Sequence, residues 1–261
     1  MTTTRRLIVG NKNIFNPLDL SSKKILVTGA SSGIGQATAI YLSKLGAKIV
    51  ITGRNELRLQ DTLQKLFGSN HTSIVADLGE MDDMASLFED ATYDGIKLNG
   101  LVHCAGVSSV VPLNSITKKK LVTVMNINFF SYIELVKQFS KRKYSDGGSI
   151  VGISSIAANR GDQCQTIYSA SKAAVDIASQ TLSIELAKKN IRINTVLPGM
   201  IETTMLEGSQ DRGHNNDERI KRQLLGMGQP EDVAAVCAFL ISDMSRLITG
   251  RKLFVDGGRF G

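Results

Sequence analysis

Several things are scarce in this chain of 261 residues, and each scarcity removes a class of answer. There are 3 cysteines, Cys104, Cys164 and Cys237, far apart, odd in number and without metal-type spacing, so neither a disulfide framework nor a cysteine metal site is expected. Only 4 prolines occur, with no long polar tract, so no linker divides the chain and one domain is expected. No apolar run approaches the roughly 18 residues that would cross a bilayer. The first twenty residues carry Arg5, Arg6 and a short apolar patch but no signal-type apolar core and cleavage site, so residues 1–20 read as an arm and the location as cytoplasmic. With 3 histidines, His103 has only His71 and His214 as companions, at no useful spacing, and is expected to be structural rather than a metal ligand.

What is present is an ordinary globular composition with a net charge of +7, gathered partly in clusters at 5–6, 118–120 and 141–143. Without aromatic interleaving or a recognised binding motif, these clusters read as solvated helix ends rather than a nucleic-acid surface. Apolar, β-branched runs alternate with helical stretches. "KILVTGA", "AKIVIT", "TSIVAD", "GLVHCAG", "GSIVGIS", "IRINTVLPG" and "RKLFVDGG" read as strands. Helices are expected between them: after "TGASS", over Asn55–Phe67, near Met81–Glu89, continuously from about Lys118 to Lys143, over Tyr168–Lys188, and from Pro230 to Ser242. This order predicts an α/β fold, a doubly wound parallel sheet of about seven strands with helices on both faces, in a domain over 21–261. Ligands of such sheets bind beyond the strand carboxyl ends, so the residues just after each strand carry the functional argument.

The first strand ends in "TGASSGIG", a glycine cluster (Gly29, Gly33, Gly35) between a strand and a helix. Glycine allows a tight turn and close approach, and the helix start offers free N–H groups to a pyrophosphate, which predicts dinucleotide binding. After the second strand, Arg54 stands where a carboxylate would select NAD(H). A guanidinium there favours the 2′-phosphate of NADP(H), with NAD(H) as the alternative. Asp77 after the third strand suits an adenine amino group or a helix N-cap equally.

"YSASK" places Tyr168 and Lys172 one helical turn apart, thirteen residues beyond Ser155 at a strand end. An ammonium beside a phenol favours its ionised form and improves it as an acid–base group, while a serine hydroxyl can hold a carbonyl. Tyr93 and Lys97 share the spacing, but they flank an Asp-Gly turn ahead of a strand and are read as without function.

Together "TGASSGIG", Ser155, "YSASK" and "LPGMIET" resemble the short-chain dehydrogenase/reductase family, in its single-domain Rossmann branch, from about Ser21 to Gly258. The overall pattern is most similar to β-ketoacyl-acyl-carrier-protein reductases. The resemblance implies that Tyr168 is the general acid, that Ser155 polarises the carbonyl, and that Lys172 lowers the tyrosine pKa and binds the nicotinamide ribose. It implies a fourth member, an asparagine in the long helix, for which Asn128 fits better than Asn126. It places the cofactor along Gly29, Ser31, Ser32, Gly33, Ile34, Gly35, Arg54, Asp77, Leu78, Ala105, Gly106, Pro198 and Gly199, with Ile201 and Thr203 at the carboxamide. "HCAG" departs from the family's Asn-Asn-Ala-Gly, so His103 and Cys104 replace both asparagines.

The resemblance also implies a small-molecule or acyl-carrier carbonyl substrate and a homotetramer or homodimer. Residues 203–223, polar and glycine-containing, read either as a substrate lid or as a surface insertion. The rival functions are an NAD(H)-dependent sugar, polyol or steroid dehydrogenase, and a non-catalytic dinucleotide sensor.

Overall fold

A computed structural model describes residues 16–80, 83–204 and 220–259. Seven strands carry the sheet: β1 (Lys24–Thr28), β2 (Lys48–Gly53), β3 (Thr72–Val75), β4 (Gly100–His103), β5 (Gly148–Ile153), β6 (Ile191–Pro198) and β7 (Lys252–Val255). Their spatial order is β3-β2-β1-β4-β5-β6-β7, every pair parallel. The fold is therefore the doubly wound Rossmann-type sheet that the sequence predicts. The chain reverses its direction of winding between β1 and β4, and the carboxyl edge there is a natural cleft. Strands β1, β4 and most of β2 and β5 are buried, as parallel strands covered on both faces must be.

The helices are α1 (Gly33–Lys44), α2 (Glu56–Gln64), α3 (Asp83–Ala91), α4 (Lys118–Met125), α5 (Ser131–Phe139), α6 (Thr166–Leu186) and α7 (Pro230–Ile241). One core packs Leu42, Leu59, Val233 and Cys237 against the sheet; the other packs Phe88, Tyr132, Leu135 and Val175 on the opposite face. Starts follow local chemistry. Asn55 Oδ1 accepts from Arg58 N at 2.9 Å ahead of α2, and Gln229 and Asp232 form a capping box around Pro230 at the head of α7.

Two expectations change. The helix expected to run unbroken from Lys118 to Lys143 is split by a π-helical turn at Asn126–Phe130 and ends at Phe139. Within this wider turn Asn128 is buried, and its side-chain amide binds the backbone of Val107 on both sides. At the other end of the chain, Leu20, expected in the arm, is fully buried and donates its N–H to Leu45 O at 2.9 Å. Residues 1–15 lie outside the described residues, as does most of the 203–223 segment. No helix among the described residues is long and apolar enough to cross a membrane.

Candidate active site

The carboxyl ends of β1 to β6 enclose a cleft of about 760 Å³. Its floor is the turn after β1. Gly29 has φ +64°, and a Cβ there would fall 2.7 Å from Ala105 Cα, so the β1 and β4 turns touch through a glycine that no other residue can replace without strain. Ser31, Ser32, Gly33, Ile34 and Gly35 continue this wall into the start of α1, whose cap side chain makes no hydrogen bond. The opening helix is thus a cradle for an anion, and its shape fits a dinucleotide pyrophosphate.

At one end of the cleft stand Arg54 and Asp77, with Leu78 buried behind them. Arg54 Nη1 lies 3.8 Å from Asp77 Oδ2, and both side chains are exposed, 63% and 45%. Asp77 Oδ1 accepts from Gly79 N at 2.8 Å, so the carboxylate shapes its own turn, while α3 begins only at Asp83. Arg58, in the first turn of α2, lines the same end and was not anticipated. Extending the search for basic residues from Arg54 into the helix that follows β2 would have found it.

The opposite end is built from β5, α6 and the π turn. Ser155 follows β5 and accepts from Ala157 N at 3.1 Å, which fixes its direction at the strand end. Tyr168 and Lys172 sit on α6 and face the same cleft, the Nζ of Lys172 lying 6.0 Å from the phenol ring centroid. Lys172 is 4% exposed, and its ammonium donates to Ile153 O at 2.7 Å. Burial pushes its pKa down to about 8. Asn128 stands one layer behind the cleft wall. Its Oδ1 accepts from Val107 N at 2.8 Å, and its Nδ2 donates to Val107 O at 3.0 Å and Ser171 Oγ at 2.9 Å. A Cβ on Gly106 would come 3.2 Å from Lys172 Nζ and 3.3 Å from Asn128 Oδ1, so the turn after β4 presses on both.

At the end of β6 and just past it, Pro198, Gly199, Ile201 and Thr203 close the third side. Gln223 braces that turn: its Oε1 accepts from Met200 N at 2.9 Å and its Nε2 donates to Met200 O at 3.2 Å. Gln165 and Arg259 are among the other wall residues that escaped sequence reasoning. Arg259 lies beyond β7, its side chain unexposed and 3.8 Å from Asp162 of the β5–α6 loop. No local pattern announces a contact across such a sequence separation.

His103 ends β4 entirely within the protein. Its Nδ1 lies 3.0 Å from Thr28 Oγ1, its ring is 5.4 Å from that of Tyr132, and burial pushes its pKa down to about 3. Cys104 reaches the cleft wall, and burial pushes its thiol up to about 12, which leaves it a poor nucleophile.

A glycine turn at the carboxyl edge of the sheet thus lines one cleft together with a serine, a tyrosine and a lysine. A family model described as "Enoyl-(Acyl carrier protein) reductase" matches residues 29–259. The chain belongs to the short-chain dehydrogenase/reductase family. It is similar to 3-oxoacyl-[acyl-carrier-protein] reductase FabG of Rickettsia conorii, 36% identical over 92% of this chain and 98% of the relative. It is also similar to L-xylulose reductase of Caenorhabditis elegans, 32% identical over 92% of this chain and 96% of that one. Among solved structures it resembles a single-substitution variant of actinorhodin polyketide ketoreductase with NADPH, with a TM-score of 0.85, 28% identity, and 93% and 98% of the two chains covered. As a short-chain dehydrogenase/reductase the protein is an oxidoreductase acting between CH–OH and C=O, in a family that binds NAD(P)(H).

Proposed function

We propose that the protein is an NADP(H)-dependent carbonyl reductase, with 3-oxoacyl groups on an acyl carrier as the first substrate class to test. The observation that carries this reading is the meeting of Ser155, Tyr168 and Lys172 at one end of a cleft whose other end holds Arg54 and Arg58. The similarity to an acyl-carrier-protein reductase and to a ketoreductase with NADPH supports it.

When bound, the nicotinamide supplies or accepts the hydride. The Ser155 hydroxyl holds the carbonyl oxygen and offsets the charge that develops there. Tyr168 gives its phenolic proton to that oxygen, and Lys172 favours the resulting phenolate through its positive charge. Asn128 holds the backbone of Val107 and the hydroxyl of Ser171, fixing the π turn against α6. Arg54 and Arg58 offer a cationic seat to a 2′-phosphate.

Homo-oligomer formation is part of the reading, supported by apolar side chains left exposed on the α4–α6 side, among them Phe130, Ile177 and Ile184. Analytical ultracentrifugation reports it, and a monomer at micromolar concentration sinks that part. For the activity, acyl thioesters, keto-sugars and simple ketones are assayed with NADPH and with NADH. Turnover of a 3-oxoacyl thioester with NADPH preferred is expected. A protein that reduces none of the panel overturns the reading, and equal use of both cofactors overturns the role given to Arg54.

A further inference from the structure

One turn beyond Lys172 on α6 lies Asp176, to which the reductase reading gives no task. Tyr168, Lys172 and Asp176 follow each other at four-residue spacing, so they share one side of the helix. The Asp176 side chain has no exposure. Lys252 of β7 brings its Nζ to 3.5 Å from Oδ2 and also donates to Asn159 Oδ1 at 3.4 Å. Neither carboxylate oxygen accepts a hydrogen bond of ordinary length. Ser154 Oγ, beside it, donates instead to Lys172 O at 3.2 Å. Thr195, which pairs with Lys252 across β6 and β7, holds its hydroxyl near the carboxylate without closing a bond.

A carboxylate this poorly solvated is costly to bury, and within an active site such a cost has a use to be found. We propose that Asp176 is a positioning residue for the catalytic pair: its buried carboxylate, steadied by Lys252, acts through Lys172 and keeps that ammonium charged beside Tyr168.

The surroundings leave the task to Asp176. From β4, His103 is pushed down to about 3 and Cys104 up to about 12, both by burial first, so both are neutral at ordinary pH. From α5, burial raises Tyr132, which is neutral as well. Arg259 on the far wall is a cation facing Asp162. Two groups hold Lys172 up against its burial, Cys104 first and Asp176 second; with the Cys104 thiol neutral, the carboxylate of the two is Asp176. Burial raises Asp176 in turn, while the Ser154 and Thr195 hydroxyls and Lys252 oppose that rise.

The effect on turnover rests on the reductase reading; the coupling of charges does not. The test follows Lys172 directly, by nuclear magnetic resonance of protein labelled with ¹³Cε-lysine, its signal identified by its loss in K172R. In D176N the titration midpoint of Lys172 is expected to fall by about one pH unit, a tenfold change in its proton affinity. An unmoved midpoint overturns the proposal. Should D176N fail to fold, Thr195→Val removes one group that favours the charged carboxylate. It is expected to move the midpoint the same way by a smaller step, and no movement there is equally fatal.

In an active enzyme, the alkaline limb of kcat/KM moves down with the midpoint in D176N, with kcat at its plateau nearly retained. A limb that stays in place while the midpoint moves ends the positioning role. A shifted midpoint in a protein that reduces no carbonyl compound keeps the charge coupling and ends only the reductase reading.

Discussion

Arg54 and Lys172 are cations on the wall of one cleft, and the fold treats them in opposite ways. Arg54 is 63% exposed and meets Asp77 at 3.8 Å, across a surface where water screens both charges. Lys172 is 4% exposed, tied to Ile153 O, and has its pKa pushed down to about 8. An exposed pair contributes roughly 0–1 kcal/mol, whereas a buried charge responds strongly to each neighbour. The end with Arg54 can therefore be read from residue type alone. The end with Lys172 depends on what the tertiary structure packs around it.

The largest way to break this comparison is at the buried end. Tyr168→Phe removes the proposed proton donor and is expected to lower kcat about a thousandfold. NADPH affinity, followed by fluorescence, should change little; a variant that keeps its turnover excludes Tyr168 as the acid.

Burial also predicts how this end responds to acid. His103 is kept neutral in the folded protein down to about pH 3, while an unfolded histidine takes a proton near 6.5. Its folded pKa is depressed, so the unfolded chain binds more protons between those values and stability falls as pH drops through that window. The slope is about 1.4 kcal/mol for each pH unit below the unfolded value. Urea unfolding at pH 7 and pH 5 should show the loss, and His103→Asn should flatten it. A slope unchanged by that substitution assigns the acid sensitivity elsewhere.

Weaker effects belong to the exposed end. Arg54→Ala is expected to lower the preference for NADPH over NADH, measured as a ratio of kcat/KM, by roughly tenfold to a hundredfold, the worth of a charge-assisted hydrogen bond. Arg58→Ala should move the same ratio by less, because Arg54 remains. Smallest of all, Asp77→Asn should alter that ratio by no more than about threefold, with the difference shrinking as salt is added. A large, salt-resistant effect there would show that the surface pair is stronger than its exposure allows.

The sheet was legible because its strands are short β-branched, largely apolar runs, near-continuous in the buried central strands β1, β2 and β5, and all seven occur where such runs stand. The glycine turn was legible for the same local reason, since a tight strand-to-helix connection needs residues without side chains. The π turn was not. "VMNINFFSYIEL" has good helical periodicity, and the bond between Asn128 and the Val107 backbone inside the widened turn joins segments that no local pattern links. Leu20 was read with the arm because a single apolar residue carries no period, yet the partners that bury it come from elements elsewhere in the chain. Gln165 and Arg259 were missed because each reaches the cleft through packing between segments distant in sequence, whereas Arg58, four residues past Arg54, was within reach of a wider local search.

Residue types and spacings by themselves determined the alternating architecture, the cradle after β1, the basic residue after β2 and the tyrosine–lysine pair. Tertiary structure decided what those groups are worth. It chose Asn128 as the asparagine that joins the π turn to α6, put His103 inside the sheet, and set a buried carboxylate one turn below Lys172. The physical reason is that spacing is local, whereas the dielectric around a charge is made by every segment that packs against it.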